Sequence, residues 1–527
     1  MDKPLSLKVT THDQADICWP TENVESILAK TFNLPMGELP CTIVIGLEVH
    51  VQLLTESKLF CGCSTKFGAP PNTQTCPICI GMPGVLPVMN RRAIELALKT
   101  GIALNCEIAR FSKWDRKNYY YPDLPKGYQI SQYDLPICRG GYLDIPHLEG
   151  NEMRRIGIIR VHLEEDAGKS MHDEKAGRAD SRIDLNRAGT PLLEIVTRPD
   201  IRSPAEAKTF LTELKLLLNY LEVSDCNMQE GSLRVDANIN LHIATNDGQH
   251  VATPIVEVKN MNSFRAVERA LSYEAQRQYE VFLETGRRLG DVPKQTRGWD
   301  EDAQITRPQR SKEESSDYRY FPEPDLVPVV ITDTELEAIR QTLGTLPAEL
   351  RRRLQTTYQL NAYDSDVIVN QGRAFVDYFC QLADASGDGK MAANWIQQDV
   401  LRTLNEREWT IADFPITAAE LGKLLRRVKS GELDTAKGRQ VFAHIVDHRT
   451  TVDDAIQALG IVQVDETELR QLCRELVAGN PKVVAEVKAG KDKAIGSLVG
   501  QAKKRNPNVN PARVKEICLE LIRQEGS

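Results

Sequence analysis

From Thr42 to Leu54 the sequence TIVIGLEVHVQLL alternates strictly. Ile43, Ile45, Leu47, Val49, Val51 and Leu53 point one way, while Glu48, His50 and Gln52 share the opposite face. One such strand fits an ordinary solvent-facing edge equally well. The pattern recurs, however. Arg160, His162 and Glu164 share a face in IGIIRVHLEE, Asp184 and Asn186 in RIDLNR, Arg234, Asp236, Asn238, Asn240 and His242 in LRVDANINLH, and Glu257 with Lys259 in VEVKN. Five strands that each carry mixed ionisable groups on one face predict an antiparallel sheet with a polar working face.

The densest chemistry lies between His162 and Asp200, where Glu164, Glu165 and Asp166 run together. Contiguous acids resist desolvation, so a folded chain leaves them wet or gives them a cation. Magnesium prefers oxygen ligands and keeps waters, which makes Glu48, Glu164, Glu165, Asp184 and Asp236 candidate ligands, with His50 as an additional one. Lys169, Arg187, Arg234 and Lys259 are placed to neutralise phosphate oxygens, so the set suits ATP-dependent phosphoryl transfer. AGKS at 167–170 is not the end of a P-loop, because Leu163 stands where that motif needs glycine.

Four cysteines are clustered: Cys61, Cys63, Cys76 and Cys79, a CxC and a CxxC joined by a Pro- and Gly-containing loop. Such a set can close a zinc tetrahedron; a redox CxxC or four thiols without a joint role are the alternatives. The chain has 527 residues, more than one core normally serves. No apolar run approaches the roughly 18 residues of a membrane span, and the first 40 residues carry acids without an apolar signal core, so the protein is read as cytoplasmic. Its net charge of −8 excludes coating of nucleic acid by bulk charge. A local patch remains: between Pro481 and Lys515 nine Lys or Arg face two acids, with Lys503, Lys504 and Arg505 contiguous. A solvated helix face and RNA binding account for it equally well.

SPAEAKTFLTELKLLLNYL predicts a helix with Ser203 as N-cap, Pro204 in its first turn and Glu206 completing a capping box, and a second amphipathic helix is expected from about Ser263 to Gly286. KNYYYPDLPKGYQISQY (117–133) reads as a packed, mostly irregular loop, and 295–326 as a long polar one anchored at its end. Beyond Leu326 helical signals dominate. The expected fold is therefore α+β: an extension over 1–40, a sheet-based cradle domain over 41–330, a helical domain over 331–450 and a helical tail over 451–527.

IGLEVHVQL, KLFCGCS with CPICIGMPG, RKNYYYPDLPKGYQISQ, HLEEDAGKSMH, IDLNRAGTPLLEIVTRPD, EGSLRVDANIN, EVKNMNSF and SDYRYFPEPDL stand in order over residues 43–326. Together they resemble the B subunits of bacterial aspartyl/glutamyl-tRNA amidotransferases. The resemblance implies that ATP and magnesium phosphorylate the side-chain carboxylate of Glu-tRNA(Gln), Asp-tRNA(Asn) or both, and that ammonia then displaces the phosphate. By it, Glu48, His50, Glu164 and Glu165 match the family's metal site, Asp184 and Asp236 lie in neighbouring matching motifs, and Lys117 matches a lysine near the ammonia channel. It also implies an A subunit, an amidase that supplies ammonia, a small C subunit, and tRNA binding by the tail. Neither a Gly/Ser-rich amidase nucleophile nor a nucleophile-like Cys with a His partner is evident in this chain, so no glutaminase activity of its own is expected. The other reading is a zinc-containing, tRNA-binding scaffold without chemistry; a metal phosphoesterase is a lesser third.

Overall fold

The computed structural model describes residues 39–148, 152–172, 181–309, 318–461, 466–489, 491–506 and 508–524. The lead-in over 1–38 lies outside the described residues. The chain divides into two compact units between Leu346 and Pro347.

The first unit is built on one large sheet. Its principal strands are β1 (Cys41–Gln52), β4 (Met153–Glu165), β7 (Pro191–Thr197), β8 (Leu233–Ala244), β9 (Val256–Lys259), β10 (Gln295–Asp300) and β11 (Ile305–Pro308). Between them in sequence come β2 (Asp115–Asn118) and β3 (Tyr128–Ser131), which pair with each other, and the separate hairpin of β5 (Lys169–His172) with β6 (Ser181–Asp184). The large sheet runs β11-β10-β9-β8-β1-β7-β4 and continues through Cys138–Arg139 to Glu107–Ile108. All its pairings are antiparallel except β9 with β10.

Alternation explains where β1 sits. Ile43, Ile45, Leu47, Val49 and Val51 enter the core with almost no exposure. At about 1.5–3 kcal/mol for each fully buried aliphatic side chain, this face fixes the strand's register. Helix α1 (Arg91–Ala103) precedes helices α2 (Pro204–Tyr220) and α3 (Phe264–Thr285), which pack together, and α3 lies on β8. Ser203 Oγ caps α2 by accepting from Glu206 N at 3.1 Å. The expected capping box is displaced by one residue: Glu206 accepts from Arg202 N at 2.7 Å and pairs with Arg154 at 3.1 Å. Ser263 and the left-handed Gly286 bound α3 where the sequence places its ends.

Four expectations need correction. RIDLNR does not join the main sheet, because Ser181–Asp184 pairs only with Lys169–His172. The tyrosine-rich stretch from 117 contains residues of the paired strands β2 and β3, and the polar loop from 295 begins as β10 and the edge strand β11; its middle, 310–317, lies outside the described residues. Edge strands with few apolar residues give little periodic signal. Finally, the helix Asp333–Gln341, assigned from sequence to the helical region starting at 331, packs Leu336 into the core of the first unit.

The second unit is helical among its described residues. Helices α4 (Arg373–Ser386) and α5 (Ala418–Lys429) pack together, and Phe375, Phe379, Leu421 and Leu425 on them are buried. Helices α6 (Glu466–Gly479), α7 (Gly496–Arg505) and α8 (Pro511–Gln524) close a separate apolar cluster around Leu469, Leu476, Leu498 and Ile517. Among the described residues no helix is long and apolar enough to cross a membrane.

Candidate active site

Strand register assembles the site. Arg234, His50, Glu194 and His162 stand opposite one another across β8, β1, β7 and β4, forming one lateral row. In the next row Gln52 faces Leu192 and Leu192 faces Glu164. His50, Glu164 and Glu194 therefore converge, with one ligand atom of each lying within 4.8 Å of the others. His50 and Glu164 line a cavity of about 750 Å³, which Lys117, Asp166, Lys169, Asp184, Arg187, Arg234, Asp236 and Lys259 also border.

The site concentrates charge out of water. Glu164 is 3 % exposed and Glu194 7 %. Burial works against both carboxylates. The imidazoles of His162 and His50 and the Lys117 ammonium outweigh it, holding Glu194 well below the usual carboxylate range and Glu164 below it. His50 is likewise disfavoured by burial, yet Glu194, 3.6 Å from its Nε2, and Glu164 push it up to about 9. Burial also opposes the Lys117 ammonium, but Glu164, Tyr320 and Glu194 keep its pKa above the ordinary lysine value. The closest protein donor to Glu164 is Ser131 Oγ at 3.4 Å. Two buried carboxylates and an imidazole without short hydrogen bonds fit a divalent cation that keeps open positions for water and phosphate oxygens.

The cysteine set forms a second centre. The Sγ atoms of Cys61, Cys63, Cys76 and Cys79 lie within 4.8 Å of one another, and all four are free thiols. A zinc tetrahedron with Zn–S near 2.3 Å needs sulfurs about 3.8 Å apart, so the cluster fits a closed zinc site. A hydrogen bond from Cys61 lowers the Cys79 pKa to about 4, with help from Lys58, whose Nζ is 3.7 Å away.

A family model described as the GatB/GatE catalytic domain matches residues 43–337, and one described as the GatB domain matches 377–522. The Rhodopirellula baltica protein named as the B subunit of aspartyl/glutamyl-tRNA(Asn/Gln) amidotransferase is 59 % identical over 489 residues, covering 93 % of this chain and 98 % of that protein. Proteins of the same name from Moorella thermoacetica and Caldanaerobacter subterraneus are 49 % and 48 % identical, covering 91 % and 92 % of this chain and 99 % of each relative. The chain belongs to the family of amidotransferase B subunits.

Within this amidotransferase chain the candidate residues separate into groups. His50 and Glu164 meet in the groove, as expected. Glu165 does not join them. Successive residues of β4 point to opposite faces, and Glu165 pairs with Lys126 and accepts from Ile130 N at 2.8 Å, beside a smaller cavity of about 220 Å³ that Cys61 and Cys79 also line. Glu48 accepts from Asn238 Nδ2 at 3.0 Å, and burial raises its pKa; it lies outside the three-ligand cluster. Asp184 is occupied as a loop anchor, accepting from Asn72 N at 3.1 Å and Asn186 N at 3.0 Å. Asn186 accepts in turn from Gln74 N at 2.8 Å. The IDLNR motif thus ties the cysteine loop to the groove's rim.

Among the candidate phosphate-binding cations, Lys259 holds Asp236 at 2.6 Å, and Arg234 holds Asp166 at 2.8 Å. Arg187 lies 3.4 Å from Asp166 and donates to Ala167 O and Gly168 O. Lys169 is exposed at the border of the cavity. In the tail, Lys503 and Lys504 are exposed in the last turn of α7, and Arg505 pairs with Glu475 at 3.3 Å.

Sequence reasoning missed Glu194. It sits in PLLEIV, which reads as a plain apolar run, and every residue of β7 is buried. The signal is nonetheless there: a lone acid in a strand buried on both faces needs a partner charge or a metal.

Proposed function

We propose that the groove on the polar sheet face holds magnesium and ATP and phosphorylates the side-chain carboxylate of Glu-tRNA(Gln), Asp-tRNA(Asn) or both, as one step of tRNA-dependent amidation. The convergence of His50, Glu164 and Glu194, the first two lining the cavity, carries this reading. These three residues would hold the cation, which when bound neutralises phosphate oxygens and orients the transferring group. Lys117, half-buried at the cavity wall and kept charged at neutral pH by Glu164 and Glu194, stabilises negative charge at the same end. Lys169, Arg187, Arg234 and Lys259 border the cavity and present positive charge to a triphosphate, with Asp166 and Asp236 fixing two of them. A carboxylate oxygen is a poor leaving group, and converting it to a phosphate lets ammonia displace it to give the amide.

In this reading the chain works in the cytoplasm with an amidase, the A subunit, as ammonia source and with a small C subunit. Zinc at the four cysteines shapes the loop beside the groove. The tail over 451–527 recruits tRNA through Lys503, Lys504 and Arg505. The test is substitution of Glu164 or Glu194 by glutamine in the assembled complex. Loss of ATP cleavage with tRNA binding intact supports the assignment; unchanged cleavage leaves only a tRNA-binding scaffold. Metal analysis of the purified chain should find about one zinc, lost in Cys76→Ser.

A further inference from the structure

We infer that His162 is a positioning residue for the two carboxylates of the cation site, holding Glu164 and Glu194 together from beneath the groove without itself being a ligand. The inference rests on the metal reading above and adds a residue to it. His162 is 4 % exposed. It stands directly opposite Glu194 in the β4–β7 register and two residues before Glu164 on the same face of β4. Glu194 therefore lies between two histidines, His50 on one neighbouring strand and His162 on the other.

The two imidazoles are not equivalent. His50 borders the cavity and belongs to the group whose ligand atoms converge; His162 does neither. Its Nε2 lies 3.4 Å from Glu194 Oε2 and 3.8 Å from Glu164 Oε2, so this one nitrogen stands near both acids. Its Nδ1 is buried and has no hydrogen-bond partner. A proton on Nδ1 would be an unsatisfied buried donor, so the geometry assigns the neutral ring's proton to Nε2, the nitrogen facing the carboxylates. A donor placed behind two ligand carboxylates restricts their rotation and keeps them aimed at one point, the arrangement by which groups around a metal site tune its affinity by about 10–100-fold.

The position of the donor makes the inference testable. A glutamine amide reaches to about where Nε2 lies, whereas an asparagine amide reaches only to about where Nδ1 lies. In the assembled complex, Mn²⁺ binding is measured by electron paramagnetic resonance without ATP or tRNA, and half-saturating Mg²⁺ is measured for ATP cleavage. His162→Ala should weaken both by about 10–100-fold, with most of the maximal rate recovered at high Mg²⁺. His162→Gln should restore most of the affinity and His162→Asn little of it, the two having similar melting temperatures. Equal Mn²⁺ binding by His162→Ala and the parent, or equal binding by the Gln and Asn variants, overturns the role of His162 while leaving the metal site standing. Absence of saturable Mn²⁺ binding by the parent complex overturns the metal reading itself.

Discussion

In the helical unit, Asp399 is the one charged residue that is fully buried among the described residues, and it is enclosed by Arg439 at 3.2 Å and Arg402 at 3.3 Å. The sheet unit buries many more. Most are satisfied in the same way: Glu274 by Arg277 at 2.5 Å, Glu323 by Arg116 at 2.6 Å, Asp115 by Lys113 at 2.7 Å. Glu164 and Glu194 are the contrast, since their nearest basic side chains, His50, His162 and Arg160, stand at 3.4 Å or more. A buried acid closed on an arginine contributes to the fold, or at least does not cost it much; a buried acid held open among charges costs stability that only a ligand repays. The two regions teach that burial of charge alone does not mark a site, whereas burial without a close partner does.

The contrast can be broken from the helical side first. Phe379→Ala in α4 should destabilise that unit by about 3–5 kcal/mol, seen as an early transition in denaturant while divalent binding by the sheet unit is unchanged. A single merged transition would show that the two regions are not energetically separate. Glu194→Gln should lower ATP cleavage in the complex by on the order of 100-fold or more, with only a small change in melting temperature. A large fall in melting temperature would make Glu194 a structural residue like Glu274. Replacing Lys503 and Lys504 together by alanine should weaken tRNA binding several-fold, with the salt dependence shallower by about one unit per lysine. ATP cleavage at saturating tRNA should not change.

The smallest effect expected lies at a helix cap. Asp388 accepts from Met391 N at 3.0 Å, and this hydrogen bond and Lys429 lower its pKa. A depressed folded pKa contributes stability that is fully present above the unfolded value of about 3.9 and is lost as pH falls from there through the lower folded value. Asp388→Asn should keep the cap and lose that acid dependence; Asp388→Ala should cost about 1 kcal/mol at neutral pH. Melting temperatures at several pH values separate the two.

Much of the molecule is legible in the sequence because it is local. The alternation of β1 and β8 and the caps Ser203 and Ser263 depend on residues a few positions apart. The four cysteines are legible because spacing alone brings them near one another. What pairs with what is not. The partners of Glu194 become visible only once β7 is placed between β1 and β4, and Asp184 leaves the candidate ligands only once Asn72 is seen to donate to it. Glu165 leaves the groove through the two-residue period of β4, although the same period is plain in Arg160, His162 and Glu164. The acid run's uniform chemistry masks its alternation.

That alternation makes β4 a partition one backbone thick. On one side Glu164 meets His162 and Glu194; on the other Glu165 meets Lys126 near Cys61 and Cys79. The two compartments are thus coupled by counting. Loss or gain of a single residue between Gly157 and Leu163 would exchange the faces, turning one acid's surroundings into the other's, whereas loss of two would restore the facing and shift only the row. Apart from His162, this short stretch should therefore tolerate substitutions of similar size but no odd change of length.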